Sequence, residues 1–587
     1  MGSGGGASND IFRESLDSAH VLSRNEVGQT SVIGGGDLVE GLLRPEAYPW
    51  QPAAVELVET HVSWVFLAGD RVVKVKKPVS YGFVEHTALE SRRRSCEDEV
   101  RLNHRLTDGV YLGVVPVVHG PGGYRVDAEG TPVEWATLMR RLPAEGMLDT
   151  ILASGEIPPH LGQRLADRLI SFHRDAAASC GGPAEEAAVA ASAVVTDNLT
   201  QLEPFAGEPL GPVQLGLVAE ALRGFIVERG DLLRGRAVAG WIREGHGDLR
   251  VEHVYLEEGP DGAIQIFDCV EFSRSLRCAD VASDLAFLLM DLERLGAQEA
   301  AAALVARYRA AGVELPEALL SFYKAHRALV RAKVACLRRH ALTDVAARTG
   351  LAVEAADYLD LATAAAVTVR PALIAMTGLS GTGKSTVAMA LARALGVPVF
   401  ASDAVRKELA GQAGPAPAAW ERGLYAPERV EATYERLIEL ATQTLGAGRA
   451  AILDATFLDG KRRERLATLV RAAGVPLVLV ETTCDEETAA GRILMRAMRG
   501  DSRSDATVEV YRRQRAAALA SPPPVPSGAV HVVVNTGADG PVDLDPTLAA
   551  LRREAIVNAQ VPDPDASTSS GAEKSELEDS GRVGRSS

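Results

Sequence analysis

Residues Gly378-Leu379-Ser380-Gly381-Thr382-Gly383-Lys384-Ser385 follow an apolar run, ALIAMT, and open a helical pattern. The spacing is G-x-x-x-x-G-K-[ST] in a strand–loop–helix setting, which suits a triphosphate. Glycines let the backbone close around phosphate oxygens with N–H groups turned inward. A helix starting at Lys384 adds the positive end of its dipole. Lys384 is expected to bridge the β- and γ-phosphates of ATP and the Ser385 hydroxyl to ligate Mg²⁺, with Ser380, Thr382 and Thr386 beside them. The competing reading, a plain Gly-rich turn, does not account for the flanking strand and helix.

The next apolar run ends in Phe400-Ala401-Ser402-Asp403, and Arg406 follows one helical turn later. In a parallel sheet, a carboxylate at the carboxyl end of a strand points into the crevice where ligands bind. Asp403 is therefore placed to take the proton of an attacking hydroxyl, and Arg406 to hold the acceptor. The alternative for Asp403 is a helix N-cap, and the two roles are compatible. Asp454, at the end of the run AAILDAT, has a Walker-B-like position from which it would hold the Mg²⁺ hydration shell. No Glu follows it, which disfavours an ATPase that polarises water with that residue. Arg492, Arg496 and Arg499 recur at helical spacing, with Arg503 beyond. A helix closing over the nucleotide would set such guanidinium groups against the migrating phosphoryl group, although a solvated basic face competes with that reading.

An earlier set has the same chemical character. His246-Gly247-Asp248 precedes Ile264-Gln265-Ile266-Phe267-Asp268 across a turn at Gly259 to Gly262. Asp248 would orient an acceptor hydroxyl, and Asp268 would bind a metal that bridges phosphates. Upstream, Val72-Val73-Lys74-Val75-Lys76 supplies a strand lysine, with Glu99 on the following helix as its partner. Alternation puts Lys74 and Lys76 on one face, and Lys74 is the preferred nucleotide contact. Asp280 and Asp284 are expected to brace the loop or cap a helix, and His246 to hold the loop through a backbone hydrogen bond.

Over residues 372–535 the stretch from GLSGTGKST through SDAVRKEL and ILDAT to the Arg-rich segment resembles P-loop kinases that include gluconate kinases, polynucleotide kinases and zeta toxins, grouped with AAA family ATPases. That resemblance implies Asp403 as the acceptor-side base and Arg406 as a substrate contact. The earlier set resembles aminoglycoside-phosphotransferase-like kinases, whose loop reads H-G-D-[LIV]-H-x-x-N. The runs RVVKVKKPVSYGFVEHTALESRRRSCEDEVRLN and DCVEFSRSLRCADVASDLAFLLMDL are similar to bacterial proteins that join such a domain to a C-terminal P-loop kinase. By that resemblance His253 takes the metal-binding Asn position, and Arg250 replaces a second His. Histidine is a poor Mg²⁺ ligand, because hard cations prefer oxygen.

These residues need two scaffolds. Residues 60–140 read as short strands around one helix: His61 to Leu67 and Arg71 to Lys77 joined at Gly69-Asp70, a helix near 86–106, and strands at 113–120 and 132–142. Residues 160–365 read as mostly helical. From Pro371, five short apolar strands alternate with helices, the mark of a parallel sheet covered on both faces. The expected fold class is an α+β kinase-like two-lobed domain (37–365) followed by an α/β P-loop NTPase domain with a parallel sheet (366–556). Disordered tails are expected at 1–36 and 557–587.

The chain has 587 residues, 47% of them hydrophobic, and a net charge of −16, which argues against a general affinity for nucleic acid. No apolar run reaches membrane-spanning length and the first residues lack a signal-peptide pattern, so a cytoplasmic location is expected. Six cysteines are scattered without C-x-x-C, and buried free thiols are expected. Together the residues predict an ATP- and Mg²⁺-dependent phosphotransferase acting on a hydroxyl of a small molecule, two-headed if both sets work. One alternative makes the first domain a regulator of the P-loop kinase. The other makes the P-loop domain a kinase for nucleic-acid 5′-hydroxyls.

Overall fold

From Val73 onward the strand Arg71–Lys76 alternates valine with lysine, and its pleat sends the two kinds of side chain to opposite faces. Val73 and Val75 enter a core with Trp64, Phe66, Val117, Ala136 and Leu138. Lys74 and Lys76 point the other way, toward Glu99. The structure, a computed structural model, describes residues 36–60, 62–81, 84–176, 180, 183–257, 262–410, 427–498, 507–537 and 540–563. His61, most of the expected 259–262 turn, Arg499 and Arg503 lie outside these residues.

Among the described residues the chain divides into two compact units, one of 36–201 with 226–327, the other of 202–225 with 328–563. The first unit carries a six-stranded antiparallel sheet of β1 (Val55–Glu59), β2 (Ser63–Ala68), β3 (Arg71–Lys76), β4 (Tyr111–Gly120), β5 (Gly123–Val126) and β6 (Pro132–Arg140). Their order is β1-β2-β3-β6-β4-β5. Helix α1 (Leu89–Asn103) packs on β6 and carries Glu99. A mostly helical part follows, in which the short pair β7 (Val254–Leu256) and β8 (Ile264–Ile266) precedes helix α2 (Val281–Arg294).

The second unit holds a five-stranded parallel sheet of β9 (Leu373–Thr377), β10 (Val399–Ala401), β11 (Ala451–Asp454), β12 (Leu477–Thr483) and β13 (Val530–Asn535), ordered β10-β11-β9-β12-β13. β9 is apolar from Leu373 to Met376 because both its faces are covered. Ile374 and Met376 face helix α3 (Lys384–Leu395) through Val387, Ala388 and Leu391. Leu373 and Ala375 face α5 (Pro427–Gly446) and α6 (Gly460–Ala473) through Tyr434, Leu437, Leu466 and Val470. Helix α4 (Ser402–Ala410) leaves the end of β10, while α7 (Glu486–Met498) and α8 (Val508–Ala520) lie between β12 and β13 in sequence.

Three sequence expectations differ from what the chain does. The units do not divide at residue 365: helix Val345–Ala366 packs on α3 and groups with the second unit, burying Leu351, Ala355, Leu359 and Ala362 at helical spacing. Val557 and Asn558, expected in a tail, pair with Val369 and Thr368, because Ile556 and Val557 are buried. The expectation of six free thiols is corrected by a disulfide between Cys180 and Cys278; a separation of 98 residues left no trace in local spacing. Cys96, Cys269, Cys336 and Cys484 are free. No helix among the described residues is long and apolar enough to cross a membrane.

Candidate active site

The loop after β9 is held in a form that only glycine accommodates. Gly378 has φ +126°, and a Cβ there would meet the Thr482 carbonyl oxygen at 2.6 Å. Gly381 has φ +85°, and its Cβ would meet the Ala489 carbonyl oxygen at 2.7 Å. Both would clash with backbone, which cannot swing aside. Gly383 has φ +85° and precedes the first residue of α3, so Lys384 and Ser385 open that helix. The Thr382 hydroxyl bonds the Leu379 carbonyl at 2.8 Å and the Thr482 hydroxyl at 2.7 Å, which shapes the loop from within. Ser385 and Thr386 are exposed to the adjoining cavity.

That cavity has a volume of about 1810 Å³. It brings together Ser380, Gly381, Gly383, Lys384, Ser385 and Thr386 from the loop, Asp403 and Arg406 from α4, Asp454 from β11, and Arg492 and Arg496 from α7. Among the described residues its lining has seven Lys or Arg side chains against four Asp or Glu, in a chain that is strongly acidic as a whole. Lys384 donates to the Leu379 carbonyl at 2.7 Å. Burial lowers its pKa to about 8, against the opposing pull of Asp454 and Asp403. Burial also raises the Asp454 carboxyl, while a hydrogen bond from Ser385 and the charge of Lys384 pull it down. Lys384, Ser385, Asp454 and Asp403 therefore feel one another across the cleft.

Arg406 donates to Asp403 Oδ1 at 2.6 Å. Arg492 donates to the Thr536 carbonyl at 2.6 Å, which ties α7 to the loop after β13, and Arg496 lies one turn further along. Three contributors were not legible in the sequence. Arg462 of α6 lies over the Tyr434 ring at 4.0 Å, Tyr434 bonds the Thr456 hydroxyl at 3.2 Å, and Gln514 of α8 accepts from the Ser380 amide of the loop. No motif marks these positions, because each is a single residue on an amphipathic helix.

In the first unit, the earlier set is also brought together. Lys74 Nζ lies 2.7 Å from Glu99 Oε1 and 3.0 Å from Asp268 Oδ1. Lys76 Nζ lies 3.0 Å from Glu99 Oε2 and also pairs with Glu271. Burial works against the charge on Lys74, but Asp268 and Glu99 outweigh it and hold its pKa well above the ordinary value. Lys76 and Glu271 extend the network beyond the single pair read from the sequence.

The loop around Asp248 is braced from beneath. Asp284 accepts from the His246 and Gly247 amides at 2.6 and 2.9 Å, and Asp280 caps α2 through the Ala282 amide at 2.8 Å. His246 Nε2 donates to the Phe267 carbonyl at 2.9 Å, and burial lowers its pKa to about 4, so it is a neutral structural group. His253 lies 3.8 Å from each of the Asp248 and Asp268 carboxylates and bonds the Asp248 carbonyl at 2.8 Å. Arg250 pairs with Asp291 and Glu252. Beside Lys74 and Asp268 the free space is about 20 Å³, which holds about one water molecule. Among the described residues no three His, Cys, Asp or Glu are arranged to hold a metal ion.

Residues 373–520 match the AAA domain family. Across 474 residues the chain is 33% identical to a Mycobacterium tuberculosis protein, the uncharacterized protein Rv2004c, covering 80% of this chain and 90% of that one. Among solved structures it is similar to a gluconokinase from Sinorhizobium meliloti (22% identity, 32% of this chain, 90% of that one, TM-score 0.21). It is also similar to a choline/ethanolamine kinase family protein from Mesorhizobium loti (15% identity, 55% and 94%, TM-score 0.32).

Proposed function

The chain belongs to the family of the mycobacterial protein Rv2004c, and we propose that it is an ATP-dependent phosphotransferase whose active site is the P-loop cleft of the second unit. The observation that carries this reading is one cavity holding a phosphate-binding loop, a carboxylate at the end of β11 and a second carboxylate on α4. Asp403 takes the proton of the acceptor hydroxyl as its oxygen bonds the γ-phosphorus, and the bond to the β-phosphate oxygen breaks to release ADP. Lys384, Arg492 and Arg496 offset the charge on the migrating group. The Ser385 hydroxyl and the Asp454 carboxylate are hard oxygen donors, which fits Mg²⁺. When held by these two residues, the ion would offset negative charge on the phosphates.

The acceptor end is lined by Arg406, Lys407 and Arg462 against Asp403 and Glu431, which favours a hydroxyl compound carrying an anionic group. The test is purified full-length protein with Mg·ATP and a panel of paired neutral and acidic hydroxyl compounds, with a 5′-hydroxyl oligonucleotide as one arm. The readout is the mass gain of one phosphoryl group. Phosphorylation of an acidic small molecule is expected. Lack of transfer to any hydroxyl, together with lack of nucleotide binding, overturns the reading.

For the first unit, a regulatory role is favoured over a second active site. A space of about 20 Å³ is far below the several hundred Å³ of a typical ligand pocket. Asp268 is engaged by Lys74, and His253 offers nitrogen where Mg²⁺ prefers oxygen. That donor set does not fit the ion.

A further inference from the structure

A phosphate-binding loop presents amide hydrogens and a lysine to its ligand. In this chain one such amide and the lysine already have protein partners. The Ser380 amide donates to Oε1 of Gln514 at 2.9 Å, and Lys384 donates to the Leu379 carbonyl at 2.7 Å. Ser380 and Gln514 both line the cavity beside Lys384.

Gln514 belongs to α8, which begins 128 residues after Ser380 at Val508 and is capped by the Thr507 hydroxyl accepting from the Val510 amide. Helix α8 is seated by Tyr511 and Val508, packed with Ala489 and Ile493 of α7 and with Leu379 of the loop itself. Arg515 pairs with Glu486 at 2.5 Å. The apolar part of this contact is small, a handful of side chains, whereas the carboxamide bond reaches directly into the loop.

We propose that Gln514 is a phosphate mimic: its carboxamide oxygen satisfies the Ser380 amide in competition with nucleotide, whose binding displaces it and loosens α8. The proposal rests on the nucleotide-binding reading of the loop. Side-chain chemistry explains the residue type. A carboxamide oxygen accepts from an amide as a phosphate oxygen does, but carries no charge and so yields to a charged competitor. A carboxylate at the same position would hold the amide more tightly and repel the phosphate.

The experiment is a fluorescence titration of full-length protein with a mant-labelled ADP and Mg²⁺, comparing wild type, Gln514→Ala, Gln514→Glu and Lys384→Ala. A neutral hydrogen bond has a modest net worth, so Gln514→Ala is expected to bind about 3- to 10-fold more tightly and Gln514→Glu more weakly than wild type. Hydrogen exchange over 508–520 is expected to quicken when nucleotide is added to wild type and to be already quick in Gln514→Ala. An unchanged or weakened affinity in Gln514→Ala, with Lys384→Ala strongly impaired, overturns the mimic and leaves nucleotide binding intact. If wild type binds no nucleotide, or Lys384→Ala binds as well as wild type, both readings fall.

Discussion

Arg406 and Asp403 are joined at 2.6 Å across a single helical turn, so the group that would hold the acceptor also fixes the carboxylate that would take its proton. The pair faces the same cleft as Lys384. Replacing Asp403 by Asn keeps the shape and removes the base. We expect kcat to fall by about 10²- to 10⁴-fold with the KM for ATP little changed. Replacing Arg406 by Ala is expected mainly to raise the KM for the acceptor. Steady-state kinetics with each substrate varied in turn would check this, and a large rise in the ATP KM for Asp403→Asn would contradict it.

Lys384→Ala removes the cation that both cleft carboxylates feel. Turnover of ATP is expected to drop by about 10²- to 10³-fold, the scale for loss of one preorganised electrostatic contact. The melting temperature should hold or rise slightly, because a buried ammonium whose pKa is lowered is costly to fold around. Coupled ADP release and calorimetry measure the two quantities.

Glu99 is fully buried between two ammonium groups. Glu99→Gln leaves Lys74 and Lys76 short of counter-charge, and a buried pair broken on one side typically costs about 3–5 kcal/mol. The first unit should therefore melt about 10 °C lower. If that unit regulates and does not catalyse, Asp248→Asn assayed beside Asp403→Asn will show loss of phosphoryl transfer confined to the latter. Equal losses would restore the two-headed reading.

Asp360 offers a pH signature in the second unit. It accepts from Gln214 at 2.9 Å and Arg393 at 3.3 Å, yet burial raises its pKa to about 6. A raised carboxyl pKa means that the folded state holds the proton more firmly than the unfolded chain does. The stability this group contributes is thus complete below the ordinary value near 3.8 and is lost as pH rises through about 6. Asp360→Asn removes that loss and should gain about 1–3 kcal/mol over wild type at pH 8, but not at pH 4. A difference between the two proteins that does not vary with pH would refute this.

The legible parts of the sequence were those where one rule of backbone or pleat decides the outcome. The loop before Lys384 was readable because glycine alone permits its positive φ values, and β9 because a doubly covered strand is apolar on both faces. Lys74 and Lys76 were correctly put on one face by alternation, but the second partner of Lys76, Glu271, lies almost two hundred residues away. Gln514, Arg462 and Tyr434 were silent for the same reason. Each acts through the packing of one helix on another, and a lone polar residue on such a helix looks like any solvated position. The bond between Cys180 and Cys278 likewise depends on tertiary proximity alone.

The strand order β10-β11-β9-β12-β13 divides labour on either side of the loop strand. Towards β10 lie Asp403 and Arg406, and towards β13 lie Arg492 and Thr536. Under the proposed roles, a substitution on the first flank would alter the choice of acceptor while the contacts of the second flank stay in place.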